Sequence, residues 1–230
     1  MTTEELKTTQ IYDKMFKKRK ASTMHRINKE LKNYISQFIL PQYSQNDGGH
    51  GTEHINYVTE RCFMFKKQFQ SINPDILYTI ACFHDIAHHI NKAQHETLSA
   101  QIFFEDETMK CFFTDGERKL IKEAIEDHRA SAKKIPRSDY GKIISSADRS
   151  TDVEDFLRRT HAYTLKHFKN ITEEEIIERA YTHTKEKYGS TGYAKHYVKD
   201  EQYDNFREKI NQILNDKKAF TELYKSINQI

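Results

Sequence analysis

The stretch Asn73-Pro74-Asp75-Ile76-Leu77-Tyr78-Thr79-Ile80-Ala81-Cys82-Phe83-His84-Asp85-Ile86-Ala87-His88-His89 decides the fold. Asn73 reads as an N-cap and Pro74 as the first helical position, where a missing N–H does no harm. Ile76, Leu77, Ile80, Ala81 and Phe83 leave the segment almost no polar face. A helix apolar all round belongs at the centre of a helical assembly. It runs straight into His84 and Asp85. Adjacent helical residues point about 100° apart, so both reach one ion only at a helix edge or an irregular turn. An Asp closing so apolar a helix is costly unless paired or metal-bound. Taken alone, the dipeptide is weak evidence for a site and reads rather as a polar helix end in water.

Helical patterns continue on both sides. Met24, Ile27, Leu31, Tyr34, Ile35, Phe38 and Ile39 recur at helical spacing over 24–40, and Pro41 is expected to end that helix. Ser44-Gln45-Asn46-Asp47-Gly48-Gly49 is a loop signal, followed by a helix over about 52–69. After the central segment, helices are expected at about 95–106, 116–129, 139–147 and 150–168. Thr172 and Glu175 form a capping box for a helix to about Tyr188, broken by Gly189 and Gly192. One last helix is expected from about Asp200 to near the C-terminus. The reading is an all-α chain: an N-terminal arm over 1–23, a core over 24–168 and a C-terminal helical region over 169–230 packed on it. The polar arm ends in Lys17-Lys18-Arg19-Lys20, read as a solvated face rather than a nucleic-acid or targeting patch.

Composition agrees. The chain has 230 residues, 31% of them charged but of mixed sign, with only 7 Gly and 3 Pro, which favours long solvated helices over disorder. The net charge of +3 is too mild to argue for nucleic acid. Cys62, Cys82 and Cys111 form no CxxC pair and read as reduced core thiols of a cytoplasmic protein. No signal-peptide core is visible, and no apolar run approaches the ~20 residues that span a membrane. No Walker loop, dinucleotide fingerprint or Gly-x-Ser-x-Gly elbow is present.

Histidines cluster in the first 130 residues: His50, His54, His84, His88, His89, His95 and His128, with Asp85, Glu96 and Asp148 beside them. Neutral imidazole with carboxylate suits Zn, Mn, Fe, Ni or Co. His50 and His54 are one helical turn apart, a spacing that lets two imidazoles share a face, although His50 reads equally as a loop histidine. Asp148 closes the segment Ile143-Ile144-Ser145-Ser146-Ala147, so its carboxylate either points inward or N-caps the next helix.

Together these segments resemble the HD-domain superfamily of metal-dependent phosphohydrolases. The resemblance rests on His54 with Val58 four residues on, then Phe83-His84-Asp85-Ile86-Ala87, His95-Glu96-Thr97-Leu98-Ser99-Ala100, the segment from Ile121 to His128, and Ala147-Asp148-Arg149. It covers about residues 24–165 and implies an HD-like helical bundle with a C-terminal extension. It implies that His54, His84, Asp85 and Asp148 hold a first metal, and that His95 and His128 complete a second site bridged by Asp85. One or two divalent transition ions (Mn, Fe, Co, Ni or Zn) are expected, with Mg also allowed. His88 stands where some relatives carry a phosphate-binding Lys, which leaves it between metal, phosphate and solvent, and Glu96 is a candidate to orient a water. His50, Lys133 and Arg149 are candidates for substrate binding. Arg129, Lys134 and Arg137 are weaker ones, because Lys and Arg are mostly surface residues. The expected reaction is metal-assisted hydrolysis of a nucleotide or related phosphoester, with a homodimer among the allowed assemblies. A di-iron oxygenase, a silent nucleotide-binding module and an ordinary helical interaction protein are the competing classes. Around Tyr181-Thr182-His183 and Tyr193-Ala194-Lys195-His196-Tyr197, aromatic packing is favoured over a pocket role.

Overall fold

The computed structural model describes residues 27–46 and 49–230. The arm over 1–23, its basic run and the start of the first expected helix lie outside them. Every regular element among the described residues is helical. Helix α1 (Lys29–Tyr34) is capped by the Asn28 side chain, which accepts from the N–H groups of Glu30 and Leu31. The Asn28 N–H donates to Asp75 Oδ1 at 2.8 Å, tying this start to that of the central helix. Pro41 does not end the segment as the pattern suggests. The chain widens into a π-helical turn (Ile35–Ile39), closed by the Leu40 N–H on the Ile35 carbonyl, and then tightens into a 3₁₀ turn (Leu40–Gln45) that accommodates Pro41 near its start. Pro41 has no N–H to continue the wider ladder.

Helices α2 (Thr52–Lys66), α3 (Pro74–Phe83), α4 (His95–Glu105), α5 (Asp115–Glu126) and α6 (Asp139–Ala147) build the first core. The apolar segment read from the sequence is α3, with Asn73 Oδ1 accepting from the Asp75 N–H at 2.9 Å. It packs against α2 and α5, while α6 packs on α2 and α5. Leu77, Ile80, Ala81 and Phe83 are fully buried, and Phe83 meets Phe103 of α4 edge to face at 5.3 Å. His84 caps α3, and residues 84–90 form irregular turns. The pair therefore sits where a helix gives way to a bend, so its two side chains can face one point.

A second core is built by α7 (Val153–His167), α8 (Glu173–Tyr188), α9 (Glu201–Asn215) and α10 (Lys217–Asn228). Phe156 and Leu157 of α7 pack in it with Tyr188, Phe206, Phe220 and Tyr224. The apolar face of α7 thus lies with the C-terminal helices, whereas a division at 168–169 would separate α7 from them. The capping box forms: the Thr172 N–H donates to Glu175 Oε2 at 2.8 Å, and the Glu175 N–H donates to Thr172 Oγ1 at 3.2 Å. Gly189 is the C-cap of α8, at a position where a Cβ would collide with the Lys185 carbonyl. The single helix expected after Asp200 is two helices. Asp216 interrupts it, and its carboxylate accepts from the N–H groups of Lys218 and Ala219 to start α10, an N-cap signal hidden inside a continuous amphipathic pattern.

Buried polar contacts join the cores. Arg61 of α2 reaches Asp200 Oδ2 at 2.5 Å, Gln202 Oε1 at 3.2 Å and the Ala147 carbonyl at 3.2 Å. The Tyr197 N–H donates to Ser146 Oγ at 2.9 Å. The three cysteines are free, but only Cys62 and Cys82 are core thiols, since Cys111 is exposed. No described helix is long and apolar enough to cross a membrane.

Candidate metal centre

Five helix ends converge on one point. His54 lies in the first turn of α2, His84 at the end of α3, His95 at the start of α4, His128 just past α5, and Asp148 caps α6. Three of the imidazoles are fixed by the same local device. The Nδ1 atoms of His84, His95 and His128 face the carbonyls of Ala81, Lys92 and Ile125, each three residues earlier, at 2.9, 3.0 and 2.5 Å. A carbonyl only accepts, so each Nδ1 carries the hydrogen, and in the neutral ring Nε2 presents a bare lone pair.

Those lone pairs converge. His54 Nε2 lies 3.3 Å from His84 Nε2 and 3.1 Å from Asp148 Oδ1, and both imidazoles lie 3.6 Å from Asp85 Oδ2. On the other side of the same carboxylate, His95 Nε2 and His128 Nε2 are 3.0 Å apart and each 3.3 Å from Asp85 Oδ1. Two ligand groups result, His54–His84–Asp85–Asp148 and Asp85–His95–His128, with the donor atoms of each within 4.8 Å of one another. Asp85 belongs to both, one oxygen to each. Its Oδ1 is buried without a hydrogen bond. So many acceptors facing one another repel unless a cation sits among them, and nitrogen with carboxylate oxygen is the donor set of a divalent transition ion.

The electrostatics follow the packing. Burial pushes the His84 imidazole down to about 4 against the pull of Asp85, which keeps it neutral at physiological pH. Burial also lowers His95, helped by neighbouring His128. Burial opposes ionisation of Asp85, but His84, His128 and His50 outweigh it and hold the carboxyl well below its usual range. Asp148 is held low in the same way, chiefly by His54. His128 runs the other way: burial lowers it, but Asp85, Asp148 and the Ile125 carbonyl raise it above its ordinary value. A cation in the site would displace that proton, whereas the states of His84, His95, Asp85 and Asp148 are already those that metal ligation requires.

All six residues expected to ligate a metal are therefore in this cluster. His50 is adjacent: its Nδ1 lies 2.9 Å from Asp85 Oδ2, and its ring stacks on His88 at 3.7 Å. His88 is buried and lines the cavity over the cluster, whereas His89 is exposed. Glu96 is held by Arg129 at 2.7 Å and lies 3.5 Å from His95 Nδ1, so it supports a ligand instead of facing open space. The basic candidates fare differently. Arg149 is buried, and its guanidinium is taken up by Ser145 Oγ, the carbonyls of His128 and Lys195, and Asp148 Oδ2 at 3.4 Å, so it braces a ligand from behind and does not face the cavity. Lys133 and Lys134 are exposed and outside the cavity lining. Arg137 is paired with Glu126 and Asp127. Asp148 is the C-cap of α6, and the N-cap of the next helix is Asp152.

Two supporting residues carried no sequence signal. The Tyr43 hydroxyl donates to the Cys82 carbonyl at 2.9 Å and accepts from the Asp85 N–H at 3.3 Å, closing the frayed end of α3. Asn46 Nδ2 donates to the carbonyls of both His50 and Asp85 at 3.0 Å. Finding either required knowing which loop folds over which helix end. Tyr43→Phe strands two buried backbone groups, and the expected cost is about 1–3 kcal/mol. Urea unfolding of wild type and variant measures it, and an unchanged midpoint would show that the hydroxyl does not secure the turn.

The cluster opens into a cavity of about 840 Å³ that also reaches α7 and α8. Among the described residues its carboxylates are Asp85 and Asp148, while its cations come from both cores: Lys92 and Arg129 from the first, Arg158, Arg159, Lys166, Arg179 and Lys187 from the second. Tyr163, His183 and Tyr193 line it too, so two of the segments read as packing contribute to the wall.

Among known proteins, residues 51–151 match the family model of the HD domain. No curated protein and no solved structure matches the chain.

Proposed function

Starting from the HD domain that this chain carries, we propose that the protein is a metal-dependent phosphohydrolase acting on a nucleotide or related phosphoester. The observation that carries the reading is the pair of ligand groups sharing Asp85 at the floor of a cation-lined cavity. Divalent ions held by these residues, Mn, Fe, Co, Ni or Zn by the donor set and Mg as a further candidate, would supply Lewis acidity and a bound water whose pKa falls toward ~7.

The chain's own residues do the rest. Asp85 and Asp148 remain ionised, and the Nδ1–carbonyl bonds of His84, His95 and His128 hold each ring with its lone pair inward. Glu96 positions His95, and Arg129 holds Glu96. Lys92 and Arg129, the cavity cations of the first core, orient the phosphoryl oxygens and offset the charge that grows on them. The stacked His50–His88 pair is our candidate for moving a proton: it takes up the proton that the water loses as its oxygen bonds to phosphorus, and passes a proton to the leaving oxygen as that bond breaks.

The test is phosphate release from a panel of nucleotides and other phosphoesters with Mn, Co, Ni or Mg, before and after chelation. We expect turnover that chelator abolishes and one of the metals restores. A folded, metal-loaded protein that releases no phosphate from any substrate would overturn the reading. Stoichiometric iron with oxygen-dependent turnover would favour the oxygenase class in its place.

A further inference from the structure

The cations of the α7–α8 wall are not explained by hydrolysis of a single phosphoryl group. Arg158 and Arg159 have carboxylate partners on their own helix, Glu154 at 3.2 Å and Asp155 at 2.9 Å. Lys166, Arg179 and Lys187 line the same cavity with no carboxylate partner among the described residues. Two of them lie against aromatic faces: the Arg179 guanidinium is 3.6 Å from the Phe168 centroid, and Lys187 Nζ is 5.6 Å from that of Phe156. A ring orients a cation without neutralising it. From the first core, Lys92 Nζ stands 3.9 Å over the Tyr163 ring of α7. His183 stacks on Phe156. Burial, with Lys187 and Lys92 adding to it, pushes that imidazole down to about 4, so it does not compete for an anion.

Charge counting shows what is missing. A phosphate monoester brings roughly −1.5 to −2 at neutral pH, and its oxygens are drawn to the ions held by Asp85 and Asp148. The wall, on the other core, keeps its uncompensated positive charge. Like charges converging on one cavity raise the free energy of the empty state and favour entry of a multiply charged anion.

We propose that the α7–α8 wall is a second anion subsite, and that the substrate carries at least one phosphoryl group besides the one held at the metal centre. The inference rests on the phosphohydrolase reading for its first subsite. Arg179 and Lys187 bind the distal phosphoryl group, and Tyr163 of α7 and Tyr193 of the segment after α8, both in the cavity lining, flank the substrate body.

The experiment is equilibrium binding of inorganic orthophosphate, inorganic tripolyphosphate and adenosine 3′,5′-bisphosphate to the full-length protein, with Mg²⁺ in excess so that no anion strips the centre. The two polyanions separate a contiguous phosphate chain from phosphates at the two ends of a nucleoside. We expect at least one of them to bind about 10-fold or more tighter than orthophosphate. Arg179→Gln/Lys187→Gln should lose about that factor for the polyanion and keep its orthophosphate affinity. Lys133→Gln/Lys134→Gln removes the same charge from an exposed loop outside the cavity and should change neither. Equal affinity for all three anions, or equal losses in the two double variants, would overturn the subsite. Because no turnover is read, absence of phosphate release would overturn the hydrolase while a polyanion preference left the subsite standing.

Discussion

Asp85→Ala is expected to lower phosphate release by at least about 10³-fold, roughly 4 kcal/mol of transition-state stabilisation, and to deplete metal from both ligand groups at once. The reason is geometric. Asp85 Oδ2 faces His54 and His84, and its Oδ1 faces His95 and His128, so no other single side chain belongs to both groups. His54→Ala removes a ligand from the first group alone, and His95→Ala from the second alone. Metal content per chain, measured on wild type and the three variants, separates the possibilities. Asp85→Ala should retain the least, and the two histidine variants should each lose from one group. Losses confined to one group in Asp85→Ala would mean that the carboxylate does not bridge. Full metal and full turnover in that variant would remove the centre from the chemistry altogether. Circular dichroism must show the variant folded, because His84 and His128 are almost fully buried and lose their anionic neighbour.

Much of this centre is legible in the sequence because its ligands are set by local rules. The apolar run from Ile76 to Phe83 defines a buried helix, its cap at Asn73 fixes where that helix starts, and the end of the run puts His84 and Asp85 on a bend. His54, His95 and Asp148 likewise sit at helix termini that capping and periodicity locate within a residue or two, whereas the helix before His128, expected to run to about 129, ends three residues earlier at Glu126. The misses have a common cause, namely that they depend on which element packs on which. Arg149 adjoins Asp148 in sequence and has the look of a phosphate ligand, but its buried guanidinium is held by Ser145, two carbonyls and Asp148 itself and does not line the cavity. Arg179 and Lys187 carry no signal in the sequence, and they join the cavity lining only because α7 and α8 pack together. Tyr43 reaches Cys82 and Asp85 from a 3₁₀ turn that no periodicity announces. Asp216 divides a pattern amphipathic on both sides, so only its cap geometry reveals the break.

Arg61→Ala is expected to destabilise the protein by about 3–5 kcal/mol, the cost of leaving the partner of a buried ion pair uncompensated. Asp200 is 7% exposed and loses a guanidinium 2.5 Å away, while Gln202 Oε1 and the Ala147 carbonyl lose their donors. The Phe65 ring also loses the cation standing 4.8 Å over it. Arg61→Lys should recover little, since an ammonium cannot serve three acceptors held in a planar fork. Denaturant unfolding of both variants gives the magnitude, and a loss below about 1 kcal/mol would show the pair to be dispensable. The position matters for the site as well as for stability. Seven helical residues make almost two full turns, so Arg61 lies on nearly the same face of α2 as His54. That face therefore holds a metal ligand at one end and, at the other, the clamp to Asp200 at the head of α9. A centre built on the first core faces cations supplied by the second, and the clamp fixes one against the other. In Arg61→Lys we accordingly expect metal content to survive while tripolyphosphate affinity falls. Metal loss with the anion affinity unchanged would mean that the clamp serves α2 alone and that the two cores hold their relative position by other contacts.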